Sequence, residues 1–352
     1  MFEHFPPLSD ELLSSWLVRR ALASGCEPIV VTSSFWPGLR VWARDLDRGT
    51  LPVPCGLPSQ HRETYEKLTL RSIGERIVGG SELPRAVWPW VLAAGCRGAR
   101  RLGGIQFCPE CMSTVRDPYF GRKGRLAWRT GCEFHQCSLW DRCWSCGRAP
   151  EPHRLRAQDE HQAICAFCHA DLRSAPRVPL SAGAARFQAW CNASMDSGHA
   201  RFGELSLPPC DALALARFIV FLIRAGMRTR HAGLIEFLAR MDIDVHDVHA
   251  PVSALPIELL GTRDRIDLFA RAMSILDRGA ADFRREAQQL SLTVGCFRLA
   301  THHPPACFDS IVGTLPDARP HVRVRSGQRT QRRRGRGSVE TMCARLQRRS
   351  KL

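Results

Sequence analysis

Apolar side chains recur along most of the chain at the spacing of helices rather than of strands. Leu12, Leu13, Trp16, Leu17 and Ala21 share one helical face, Ser9 precedes them as an N-cap, Asp10 and Glu11 fill a first turn that favours acid, and Gly25 is a natural stop. The pattern predicts a second helix over 60–72 and a third over 211–224, the latter apolar nearly all round and therefore buried. The clearest stripe is Ile266, Phe269, Met273 and Leu276, with Arg263, Asp267, Arg271 and Ser274 on the other faces. Alternating patterns are scarce, Ile29-Val30-Val31 being the best candidate for a strand, and helical periodicity fades from about residue 295. The stripes read as core-facing surfaces, and the fold class they predict is mainly α.

With 352 residues, 44% of them hydrophobic, the chain has ample material for a core. Its longest apolar run, 218–223, falls far short of the roughly 18 residues that a membrane span needs. The start, Met1-Phe2-Glu3-His4-Phe5-Pro6-Pro7, has neither the basic nor the apolar part of a signal peptide. Membrane insertion and secretion are not expected, and the expected location is the cytoplasm.

Sixteen cysteines in such a chain point to metal or free thiols rather than disulfides. Eight candidate ligands stand in four pairs, each with two intervening residues: Cys108 and Cys111, Cys132 and His135, Cys143 and Cys146, Cys165 and Cys168. That spacing lets a tight turn aim both side chains at one tetrahedral ion. Joined in chain order, the pairs make one site of three cysteines and a histidine and one of four cysteines. An interleaved cross-brace, first pair with third and second with fourth, uses the same residues. The seven residues between His135 and Cys143 are long for a RING pattern, which favours the sequential pairing. Four protein ligands leave no open position, so two structural Zn2+ ions are expected. Cys137 reads as a spare buried thiol beside the first site, and His153, His161 and His169 as surface or neighbouring residues rather than ligands.

Charge changes the picture in two places. The formal net charge is +16, and from Arg319 to Lys351 a run of basic side chains, Arg332, Arg333 and Arg334 among them, is opposed by Glu340 alone. This tail is polar enough to be disordered. It reads equally as a nucleic-acid-binding arm and as out-of-frame translation of GC-rich DNA. A second cluster, Arg97, Arg100, Arg101, Arg116, Arg122, Lys123, Arg125 and Arg129, surrounds the first knuckle, with only Glu110 and Asp117 against it. Phosphates of double-stranded DNA are its natural partner. Trp128, flanked by Arg125 and Arg129, reads as core of the metal module rather than as a base-stacking platform. Phosphate-loop, dinucleotide, zinc-peptidase and serine-hydrolase motifs are absent, and Pro109 sits inside the knuckle rather than before it as a zinc deaminase requires. The chain is not expected to be an enzyme.

Several segments resemble the TniQ/TnsD family of bacterial transposition proteins. They are the opening Pro7-Leu8-Ser9-Asp10-Glu11-Leu12-Leu13-Ser14-Ser15-Trp16-Leu17, then Leu68-Thr69-Leu70-Arg71, Phe107-Cys108-Pro109-Glu110-Cys111, Pro118-Tyr119-Phe120 and Arg125-Leu126-Ala127-Trp128-Arg129. The knuckles continue the likeness through Cys132-x2-His135, Cys143-x2-Cys146-Gly147 and Cys165-x2-Cys168 to Asp171-Leu172. One departure is His169, where a glycine such as Gly147 adopts positive φ more easily. The resemblance implies a non-catalytic target-selection factor that links recognised DNA to the transposon's AAA+ ATPase and transposase. Some members read DNA directly, others dock on a CRISPR effector complex, and some act as homodimers. It also implies helix-turn-helix character in the N-terminal region and a location at the bacterial nucleoid. The expected organisation is an N-terminal helical region (1–106), a double zinc-binding module (107–172), a helical C-terminal region (173–318) and the basic tail (319–352). A zinc-dependent transcription regulator and a RING-like protein-interaction module remain as alternatives.

Overall fold

A computed structural model describes residues 5–317, apart from 98–99, 254 and 302–303. The first helix, α1 (Leu13–Ala23), starts later than a Ser9 cap would place it. Asp10 takes φ +59° and interrupts the turn. Glu11 folds back, accepting from the Leu8 amide at 2.9 Å and pairing with Arg19 at 2.8 Å. The capping work falls to a distant acid. Asp47 accepts from the Ser14 amide at 2.7 Å and from its hydroxyl at 2.9 Å, satisfying a helix N-terminus that has no side-chain cap of its own.

The expected strand at Ile29-Val30-Val31 is instead part of helix α2 (Pro28–Phe35). Proline at the first helical position presets φ for a helix, and Thr32 is buried where it accepts from the Trp42 indole at 2.9 Å. Strand preference is a weak prior against such tertiary contacts, and Ile29 and Val30 are left 50% and 60% exposed. The helix expected over 60–72 is two helices, α3 (Arg62–Lys67) and α4 (Arg71–Ile77). Backbone bonds from Leu13 to the Leu68 carbonyl (3.0 Å) and from Leu70 to the Asp47 carbonyl (2.7 Å) divert the chain between them.

Beyond this region lie the hairpin of β1 (Gly95–Arg97) and β2 (Arg100–Leu102), the short helix α5 (Pro109–Thr114), and the hairpin of β3 (Gly131–Cys132) and β4 (Cys137–Ser138). Helix α6 (Ala182–Ser197) leads into β5 (Ala200–Phe202) and β6 (Leu205–Leu207), followed by α7 (Pro209–Thr229), α8 (Ala232–Arg240) and α9 (Thr262–Gln289). The described chain is thus mainly helical, its paired strands being three two-stranded antiparallel hairpins. No helix among the described residues is long and apolar enough to cross a membrane.

Helices α7 and α9 realise the nearly all-apolar segment over 211–224 and the stripe from Ile266 to Leu276. Phe187 of α6 stacks on Phe269 of α9 at 4.6 Å, and Trp90 packs against both at 6.0 and 5.7 Å. Trp90 also meets Trp128 at 5.9 Å and donates to the Leu213 carbonyl on α7 at 2.9 Å, so one side chain joins the helical core to the cysteine-rich segment. After residue 295, α10 (Val294–Phe297) and α11 (Ala306–Val312) continue the core, with Phe308 4.4 Å from Phe218. Helices this short cannot display a period, which is why the pattern fades before the fold does.

Candidate metal centres

The first donor set is assembled from two local turns. Cys108 caps α5 and Cys111 lies in its first turn, with Pro109 at the first helical position. Cys132 and His135 come from the β3–β4 hairpin, where Gln136 takes φ +49° and its amide bonds to the Cys132 carbonyl at 3.0 Å. The His135 Nδ1 lies 3.3 Å from the Cys111 sulfur and 3.5 Å from those of Cys108 and Cys132, and Cys111 and Cys132 are 3.5 Å apart. Zinc bonds of about 2.3 Å to sulfur and 2.0 Å to nitrogen require tetrahedral edges of roughly 3.5–3.8 Å, so the donors fit such an ion.

The second set brings Cys143 to 3.6 Å from Cys168 and Cys146 to 3.7 Å from Cys165. In each tetrad the donor atoms lie within 4.8 Å of one another, and each could hold a metal ion. The pairs are grouped in chain order, not as a cross-brace. Both knuckles of the second set close in the same way. The Gly147 amide bonds to the Cys143 carbonyl and the His169 amide to the Cys165 carbonyl, each at 2.9 Å, with φ of +70° and +57°. His169 therefore occupies the left-handed conformation that its position suggested, at a cost a glycine would avoid.

Cys137 stands outside the tetrads, its sulfur 3.6 Å from that of Cys108. Burial, reinforced by the neighbouring thiols, pushes its thiol up to about 12. His153 is buried and stacks on Trp42 at 4.8 Å, a core residue rather than a surface one. Neither His161 nor His169 belongs to a tetrad. Trp128 is buried as expected, with its indole donating to Asn192 at 2.9 Å.

Three members of the basic cluster around the first knuckle are buried or paired with acids. Arg125 is fully buried: its guanidinium donates to Asp45 at 2.6 Å, to Asp47 at 2.8 Å and to the Leu92 carbonyl at 2.7 Å. Contact with DNA is closed to it. The same Asp47 caps α1, so Arg125 holds the N-terminal helix to the loop between Cys111 and Cys132. Arg129 is nearly buried and pairs with Glu133 at 3.1 Å, and Arg122 lies 3.4 Å from Asp10. Lys123 and Arg116 are exposed. Arg97, Arg100 and Arg101 fall on β1 and β2, their side chains lying outside the described residues, as do Arg332, Arg333 and Arg334. Asp45 and Asp47, the acids that claim Arg125, carry no sequence signal, since 80 and 78 residues separate them from it.

Residues 3–139 match the TniQ family model. No curated protein matches the chain. The matched segment contains the first tetrad and all three members of the Arg125–Asp45–Asp47 network, and it ends before the second tetrad begins. Residues 3–139, less than half of the chain, therefore carry the likeness to a TniQ domain.

Proposed function

We propose that this protein selects the target in DNA transposition without catalysing strand transfer itself. In this reading it joins double-stranded target DNA, or a guide-RNA complex already seated on it, to the transposon's AAA+ ATPase, which recruits the transposase. The TniQ match over 3–139 is the observation that carries the proposal. The two donor sets support it chemically: three cysteines with a histidine, and four cysteines, suit structural Zn2+ and leave no ligand position for a substrate. On this account the ions staple irregular segments into a fixed recognition surface, and the protein works at the bacterial nucleoid.

A reconstituted insertion assay tests the reading. Donor transposon, transposase, ATPase and target DNA are combined with and without the zinc-loaded full chain, and insertion sites are mapped. The expected result is that omitting the chain abolishes site preference. Targeting that persists without it would sink the proposal, and a chain that binds a promoter and leaves insertion unaffected would point to a transcription regulator instead.

A further inference from the structure

We infer that Arg142, Arg148 and Arg154, which flank the second tetrad, form a docking surface for the phosphate backbone of nucleic acid. The inference rests on the DNA-directed reading above and assigns it to a surface outside the segment that matches the family. The three arginines line one open cleft of about 520 Å3, together with Phe167 and the loop at Gly261. All three are exposed, unlike Arg125, and the stretch 142–156 carries four arginines against Glu151 alone.

The cleft holds its cations in place. The Arg148 guanidinium lies 4.3 Å over the Phe167 ring and that of Arg154 lies 5.8 Å from the same ring. A guanidinium stacked on an aromatic keeps its N–H edge free for phosphate and has less freedom to lose on binding. Arg142 donates to the Gly147 carbonyl at 3.2 Å, and the Cys143 amide donates to the Arg148 carbonyl at 2.8 Å. Both therefore hang from the knuckle that the second metal closes.

Two of the three carboxylates in the cleft, Glu258 and Asp141, are engaged away from these arginines. Glu258 pairs with Arg217 at 3.0 Å and accepts from the Trp90 amide at 2.8 Å, while Asp141 accepts from the Thr262 amide at 3.0 Å. Glu151 pairs with Arg154 at 2.5 Å, whereas Arg142 and Arg148 have no carboxylate partner among the described residues.

The test compares the zinc-loaded full chain with Arg142→Gln/Arg148→Gln/Arg154→Gln and with an equally charge-depleted control, Arg201→Gln/Arg230→Gln/Arg298→Gln. Metal content is checked first, and duplex-DNA affinity is then followed across a salt series. Three lost phosphate contacts should lower the slope of log K against log salt by about 2–3, with no comparable drop in the control. In parallel, an arginine-specific dicarbonyl reagent applied to the unaltered protein should modify Arg142, Arg148 and Arg154 less when DNA is present, a readout that survives misfolding of the variant. An unchanged slope together with undiminished modification overturns the surface while leaving the DNA reading intact. Absence of DNA binding by the unaltered chain overturns both, and a cleft protected only by an acidic protein would reassign it.

Discussion

At the scale of single residues, the most informative group is Arg125, because its burial turns a candidate DNA contact into a structural tie. Burial pushes the Asp47 carboxyl up despite the opposing pull of Arg125, so the network is held together at a desolvation cost. Such pairs add little net stability, yet losing one partner strands the other charges. Arg125→Leu is expected to destabilise the protein by about 3–5 kcal/mol in chemical denaturation, whereas Arg116→Ala, on the exposed part of the same loop, should cost no more than about 0.5 kcal/mol. Cys137 invites a simpler check: Cys137→Ser should retain both ions in a metal assay, while Cys132→Ser should lose one. The chain's two tyrosines offer a pH signature. Burial, aided by Asp47 and Glu66, raises Tyr65 to about 12, and Tyr119 is raised chiefly by burial as well. The folded state then keeps protons that the unfolded state releases, so stability is fully present below pH 10 and falls as the pH rises towards 12. Ultraviolet titration should show phenolate appearing late in the native protein and near pH 10 in denaturant.

At the scale of elements, α9 depends on a glycine that breaks it. Gly279 takes φ +77° and ψ −178°, and a Cβ there would sit 2.7 Å from the Gly203 backbone at the β5–β6 turn. Gly279→Ala is expected to cost about 1–3 kcal/mol from the dihedral alone, visible as a lowered Tm, with any backbone shift adding to it. The kink was not legible in the sequence, because the stripe from Ile266 to Leu276 ends before it and nothing local distinguishes Gly279 from a tolerated helical glycine. What was legible followed from repetition. Helices α7 and α9 announce themselves through many apolar positions, and the tetrads through four identical spacings. What was not legible was decided by single long-range bonds: Asp47 displaces the start of α1, Leu70 divides α3 from α4, and Thr32 with Pro28 makes a helix of Ile29-Val30-Val31. The same distinction separates the donor residues, found by spacing, from the basic ones, whose exposure depends on partners dozens of residues away.

At the scale of the whole described chain, the first tetrad stands at one end of a relay. The loop between Cys111 and Cys132 carries Arg125, Arg125 grips Asp45 and Asp47, and Asp47 caps the amide end of α1. A structural zinc contributes on the order of 10 kcal/mol where it closes a segment that has little core of its own. Removing the ion should therefore loosen more than the knuckles. The stacked core of Phe187, Phe269 and Trp90 has no metal donor in it and is held by apolar burial. Chelation followed by hydrogen exchange is expected to raise exchange in the loop 111–132 and in α1, while the amides of α7 and of α9 before its kink keep their protection. Cys108→Ser/Cys111→Ser should reproduce that pattern. Uniform loss of protection on chelation would mean that the ions support the entire core. Loss confined to the knuckles would mean that the Arg125 network holds α1 without help from the metal.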